Sequence, residues 1–219
     1  MDFKIGFMPK REKVSGLEFA VVTDTKKGEG ARFAFGHKGE SYKGFGLGFV
    51  NTTNNYTGVD FELISNTKTY KGYQRNLIYG TSEEYTGVRT GLIGNTGNFK
   101  GLDYNLVGIT DKFSGIKFSY FYNQANDMKG IQTSYIANVA KKLRGWQRGT
   151  VNVAQEAYGL QSGTVNYAKK FRGVQFSLFN ICGEDSKGLQ IGLINYRKGA
   201  PWYARFIPFF AFRFKKKKN

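Results

Sequence analysis

The chain reads as an all-β repeat protein, and three observations carry that reading. A glycine returns every 14 or 15 residues, an apolar alternation of period two follows each glycine, and turn chemistry fills the stretch before the next one. The glycines are Gly16, Gly30, Gly44, Gly58, Gly72, Gly87, Gly101, Gly115, Gly130, Gly145, Gly159, Gly173 and Gly188. Self-similarity at a fixed period decides architecture before local propensity does, because a unit this small must bury its apolar surface on its neighbours.

Aligning the units on the glycine as place 1 gives an apolar residue at place 2, a frequent Gln at 3, a small residue at 5, apolar residues at 6 and 7, and an aromatic near 13. Place 2 runs Leu17, Phe45, Val59, Tyr73, Val88 and onward to Leu189. Place 7 runs Val22, Val50, Ile64, Ile78, Ile93 and onward to Ile194. Residues 2 to 15 fit the same frame, so about fourteen units account for all but the C-terminal run from Ala204. Apolar places 2, 4 and 6 against polar or small places 3 and 5 predict a strand buried on the apolar side. Segments such as Thr52-Thr53-Asn54-Asn55 and Gly183-Glu184-Asp185 have turn chemistry and belong in solvent. Only Ile131 to Leu143 tolerates a helix, and the unbroken repeat frame keeps it a strand.

Two architectures fit. In a β-solenoid each unit is one coil and equivalent places stack about 4.8 Å apart; in a meander each unit is a strand or hairpin of an antiparallel sheet that closes on itself. Gln at place 3 (Gln74, Gln132, Gln147, Gln161, Gln175, Gln190) and Asn at place 8 (Asn51, Asn152, Asn166, Asn180, Asn195) favour stacked coils, since amide ladders bond along a stack. The return segment, with little beyond one aromatic, and the alternation Lys43, Thr57, Lys71, Thr86, Lys100 at the unit ends favour the meander. The expectation is therefore a closed antiparallel β-barrel-like sheet over residues 1–214, with a basic tail at 215–219 and a β-solenoid as the alternative. Closure also removes exposed strand edges.

The run Gly-Val-Gln-Phe-Ser-Leu-Phe-Asn from Gly173, then Gly-Leu-Gln-Ile-Gly-Leu-Ile-Asn from Gly188, then Tyr-Arg-Lys and the aromatic end Phe206-Ile207-Pro208-Phe209-Phe210, resembles bacterial surface-repeat proteins with reiterated GLQIGLIN motifs. It is also similar to the shallow barrels described as β-flowers. The resemblance implies a cell-envelope or surface location. The opening Met1-Asp2-Phe3-Lys4 carries no apolar signal segment and no lipobox cysteine, which implies a cytoplasmic protein if the sequence is complete.

The formal net charge is +17. Residues 1–110 hold 14 Lys/Arg against 11 Asp/Glu, and residues 111–219 hold 19 against 5, so the halves carry +3 and +14. The cations gather at Lys141, Lys142, Arg144 and Arg148, at Lys169, Lys170 and Arg172, at Arg197 and Lys198, and in Lys215, Lys216, Lys217 and Lys218. With Trp202 and Tyr203 these are the candidate anion- or membrane-binding residues, and Phe206, Phe209, Phe210 and Phe212 extend the apolar end. An anionic lipid, membrane surface or envelope polymer is the expected partner, by about 1 kcal/mol per cation near such a surface. Nucleic acid is the alternative, without a recognisable RNA- or DNA-binding motif. A hydrophobic ligand inside a barrel and an outer-membrane barrel are further readings.

Catalytic and metal chemistry are scarce. His37, the only histidine, lies in a Gly-His-Lys-Gly turn, and Cys182 is the only cysteine, so intramolecular disulfides and His/Cys metal sites are excluded. Gly44-Phe45-Gly46-Leu47-Gly48 is a repeat unit with no helix after it, not a phosphate loop, and Gly159-Leu160-Gln161-Ser162-Gly163 is likewise a repeat unit. No cofactor is expected, and the chain reads as non-enzymatic.

Overall fold

The computed structural model describes residues 2–6 and 10–213. The fold is an all-β parallel β-solenoid of about 13 turns of about 15 residues, not a closed barrel. Its elements are β1 (Asp2–Gly6), β2 (Lys10–Ser134), β3 (Ala137–Cys182), β4 (Lys187–Arg197), a 3-10 turn at Trp202–Ala204, and β5 (Phe206–Arg213). The great length of β2 and β3 reflects successive coils whose corners stay paired with the coil before them. Two compact units are present, Met1–Thr110 and Asp111–Asn219.

In the first unit β1 pairs in parallel with the next coil, Asp2 on Gly16 and Phe3 on Leu17. In the second unit Gly130 pairs with Gly145 and Gln132 with Gln147, and Gly173 with Gly188 and Gln175 with Gln190. Parallel, in-register pairing puts each residue beside its own equivalent, which an antiparallel meander cannot do. The segment from Ile131 to Leu143 is strand on either side of a bend at Tyr135–Ile136, as its repeat frame requires.

The coil from Gly159 to Arg172 shows how residues are sorted. Gln161, Asn166, Ala168 and Phe171 are buried, whereas Ser162, Thr164, Val165, Tyr167, Lys169, Lys170 and Arg172 face outward. Two neighbouring outward residues, at Thr164–Val165 and at Lys169–Lys170, mark corners, and the glycine makes the third. The coil is three-sided, with places 3, 5, 8, 10 and 13 inside.

This inverts the expected faces. Place 3 is interior throughout: Glu18, Arg32, Asp60, Gln74 and Arg89 in the first unit, and Lys117, Gln132, Gln147, Gln161 and Gln175 in the second, are all at most 1% exposed. The apolar places 2, 4 and 6, expected in the core, face out, and so does place 7. Leu77, Ile78, Tyr135, Ile136, Phe176 and Leu193 are between 46% and 62% exposed. A period-two alternation separates two faces but does not say which is inside, and here stacking lets the polar one satisfy itself. Gln147 Nε2 donates to Gln132 Oε1 (3.2 Å), Gln161 to Gln147 (2.8 Å), Gln175 to Gln161 (2.8 Å) and Gln190 to Gln175 (2.8 Å). A second ladder runs Asn123, Asn138, Asn152, Asn166, Asn180, Asn195, with Nδ2 to Oδ1 distances of 2.9 to 3.2 Å. Buried amides so paired cost little, and an orphaned one would cost much.

The sparse return segment therefore does not argue against a solenoid, because one aromatic or alanine suffices to fill a narrow interior. In the first unit that filler is a stack, Tyr42, Tyr56, Tyr70, Tyr85 and Phe99, with ring centroids 4.5 to 5.5 Å apart. The hydroxyls of Tyr70 and Tyr85 close the glycine corner by donating to the carbonyls of Tyr73 (2.6 Å) and Val88 (2.7 Å). The Lys/Thr alternation at unit ends keeps ammonium groups on neighbouring coils apart. The barrel lumen that was to hold a hydrophobic ligand falls with the barrel.

The repeat glycine has a steric reason. Gly145 has φ +137°, and a Cβ there would lie 2.0 Å from the carbonyl oxygen of Gly130. Only glycine accepts both the left-handed backbone and that approach.

In the second unit β5 runs antiparallel on β4, Leu189 beside Phe212 and Ile191 beside Phe210, and so covers the last coil. Pro208, a register irregularity opposite Gly192 to Asn195, and Phe209 at φ 62° disrupt the outer edge of β5, a device that discourages further strand addition.

Candidate functional site

The predicted cations of the second unit separate into three groups. The residue before each glycine sits at the corner bordering the first side of the coil. There Lys129 pairs with Arg144, and Arg172 with Lys187, in the ladder register. Tyr158 occupies the same place on the coil between them, with the Arg172 guanidinium 5.6 Å from its ring. These five residues form a row uninterrupted by carboxylates. Of its cations, sequence reasoning had singled out Arg144 and Arg172; Lys129 and Lys187 were missed, although the repeat frame puts them at the same place.

The second group differs from expectation. Lys142 pairs in register with Asp127, and Lys170 Nζ lies 3.5 Å from Glu156 Oε1. The frame makes Asp127, Lys142, Glu156 and Lys170 successive members of one column, so opposite charges alternate along it. Lys141 and Lys169 stand beside this column, with Gln155 on the coil between. Residues 141–142 and 169–170 thus share a side, with half of that side neutralised.

The third group is dispersed. Arg148 is exposed at place 4 on the first side. Arg197 is 9% exposed and directs Nε to Gln190 Oε1 at 3.4 Å, ending the Gln ladder, so it is structural. Lys198 is exposed at the turn before Trp202 and Tyr203, themselves 81% and 73% exposed. Phe206, Phe209, Phe210 and Phe212 are more than half exposed. Lys215, Lys216, Lys217 and Lys218 lie outside the described residues.

Beside the cation row runs the first side of the coil, whose outward places are apolar on the coils headed by Gly115, Gly173 and Gly188 and mostly polar on the three between. In the second unit Ile116, Tyr120, Phe121, Phe176, Leu178 and Leu193 are each at least 40% exposed. Single exposed apolar residues need no explanation, whereas grouped ones mark an interaction surface, and here two apolar patches flank a more polar stretch of three coils.

The first unit holds a different cluster. His37 is not in a turn but at interior place 8, with Nδ1 3.4 Å from Thr23 Oγ1 and Nε2 3.2 Å from Glu62 Oε1. Burial and the nearby Arg32 push His37 down to about 2, so it stays neutral. Burial and the adjacent Asp60 push Glu62 up to about 10, and burial raises Asp60 as well, although Asn51 Nδ2 donates to it at 2.8 Å. Arg89 and Asp103 form a two-pronged buried pair, 2.9 and 3.0 Å. These groups are shut away from solvent, so none of them reaches a substrate.

Among the described residues there is no group of three or more His, Cys, Asp and Glu placed to hold a metal ion. No helix among them is long and apolar enough to cross a membrane. Cys182 is buried at interior place 10. Compared with protein-family models, curated proteins and solved structures, the chain matches none.

Proposed function

We propose that this protein is a non-enzymatic β-solenoid that lies on an anionic membrane surface through its C-terminal half. One observation carries the reading: a sheet side with exposed apolar patches at both ends, Ile116, Tyr120 and Phe121 and then Phe176, Leu178 and Leu193, is bordered by a row of cations free of carboxylates, Lys129, Arg144, Arg172 and Lys187, with Tyr158 among them. The apolar places enter the interfacial region while the cations at the edge meet lipid phosphates, each contributing about 1 kcal/mol. Amphipathic helices bind bilayers by the same division of labour. The exposed aromatics Trp202, Tyr203, Phe206 and Phe210 suit the headgroup level, where amphipathic rings settle. The GLQIGLIN resemblance supports an envelope role.

Co-sedimentation with vesicles of phosphatidylcholine alone, and with phosphatidylglycerol at increasing fraction, tests the reading. Binding should rise with the anionic fraction and fall with salt. Binding indifferent to the anionic fraction sinks it.

A further inference from the structure

Three consecutive coils of the second unit break the outward pattern of the first side. On the coils before and after them, places 4 and 6 are bulky: Phe118 and Tyr120, then Phe176 and Leu178. On the three between, place 4 is Thr133, Arg148 and Ser162, and two of the three residues at place 6 are Thr150 and Thr164. The result is a groove of about 660 Å³ cut into the apolar face. Its ends, Phe118 and Phe176, are four coil steps apart, about 19 Å at the spacing of stacked strands.

Its chemistry is mixed in a specific way. Aromatic surface comes from Phe118, Tyr135, Trp146 and Phe176, and hydroxyls come from threonine and serine on the floor. The Trp146 indole N–H donates to Ser162 Oγ at 2.8 Å, which fixes the ring over the floor. Arg148 supplies a cation, its guanidinium 6.0 Å from the Trp146 ring, and no carboxylate lines the groove.

We propose that this groove binds an acidic saccharide, two or three rings of a uronic-acid or similarly charged glycan. Flat aromatic faces pack against the C–H faces of sugar rings, the outward serine and threonine hydroxyls of places 4 and 6 bond to ring hydroxyls, and Arg148 pairs with the carboxylate. A lipid chain would leave the hydroxyl floor unpaired, which argues against an aliphatic occupant. The proposal does not rest on the membrane reading, since its test contains no lipid in the first arm.

Tryptophan emission provides the readout, because the chain has only Trp146 and Trp202 and Trp202→Phe leaves Trp146 alone. Trigalacturonate titrated into Trp202→Phe protein should change Trp146 emission to saturation, with neutral galactotriose at least tenfold weaker. Arg148→Gln should weaken trigalacturonate at least tenfold. Thr164→Leu and Ser162→Phe install residues the repeat itself uses at those places, so they fill the groove in a folded protein and should abolish the response. No response to either sugar, equal response to both, or a response unchanged by Arg148→Gln and by filling overturns the proposal. Vesicles bearing an acidic glycolipid that displace the trisaccharide assign the saccharide to a lipid headgroup; vesicles that leave it bound assign it to a free polymer; the site stands in both.

Discussion

Gln161 Nε2 donates to Gln147 Oε1 over 2.8 Å, with both side chains at 0% exposure, so each amide serves as one rung between identical residues of neighbouring coils. Such a rung exists only where coils stack in parallel and in register.

Interrupting that ladder should be costly. Gln161→Leu removes the acceptor of Gln175 Nε2 and the donor to Gln147 Oε1, leaving two buried polar groups unpaired. Each costs about 1–3 kcal/mol. Urea unfolding should show a loss of about 2 kcal/mol or more. A near-neutral substitution would mean that the amides are not held as a ladder.

Gly145→Ala should be worse than its size suggests. The methyl group would meet the Gly130 carbonyl oxygen at 2.0 Å on a backbone with φ +137°. Alanine strained in this way costs on the order of 2–4 kcal/mol, read as a fall in Tm. Gly97→Ala, at an ordinary backbone angle with its nearest atom at 2.6 Å, should cost less.

The buried Glu62 makes stability depend on pH. Folding raises it from 4.5 to about 10, so the folded state holds a proton that the unfolded chain releases. Its contribution is full below about 4.5 and is lost as pH rises toward 10. His37 acts oppositely: lowered from 6.5 to about 2, it costs stability as pH falls below 6.5. Above pH 6.5 His37 adds nothing, and the raised Asp60 acts in the same direction as Glu62. Tm of the parent should therefore fall between pH 6.5 and 9, whereas Glu62→Gln should flatten that slope and melt at least about 2–4 °C above the parent at pH 9. Equal slopes for the two proteins would place Glu62 in its ionised form.

Charge reversal separates the two basic corners. Arg144→Glu with Arg172→Glu breaks the row beside the apolar face and should weaken binding to anionic vesicles by at least about 2 kcal/mol, roughly thirtyfold. Lys142→Glu with Lys170→Glu falls in the alternating column and should change binding severalfold less. Co-sedimentation of both variants checks the difference, and the reverse ranking would move the contact to the other corner.

Much was legible in the chain itself. The glycine period set the unit, alternation set which residues share a face, and the Gln and Asn columns pointed to stacked coils. His37, expected in a turn, is an interior residue, because the polar side of the strand is the buried one. The groove left a trace that could have been read, the loss of bulky residues at places 4 and 6 in three successive units. Lys129 and Lys187 were equally readable, as unit-end residues like Arg144 and Arg172.

By itself the sequence determined the repeat, its strand character and the sorting of side chains into two sets. Only the tertiary structure decided which set is inside. Polar residues are expensive to bury when each needs a different partner, and cheap when an identical residue lies about 4.8 Å away to accept what it donates. That condition depends on parallel stacking, a long-range property no single unit encodes. Once met, it turned Gln132, Gln147 and Gln161 inward and released Tyr135, Phe176 and Leu178 to the surface that the proposed membrane contact and the groove share.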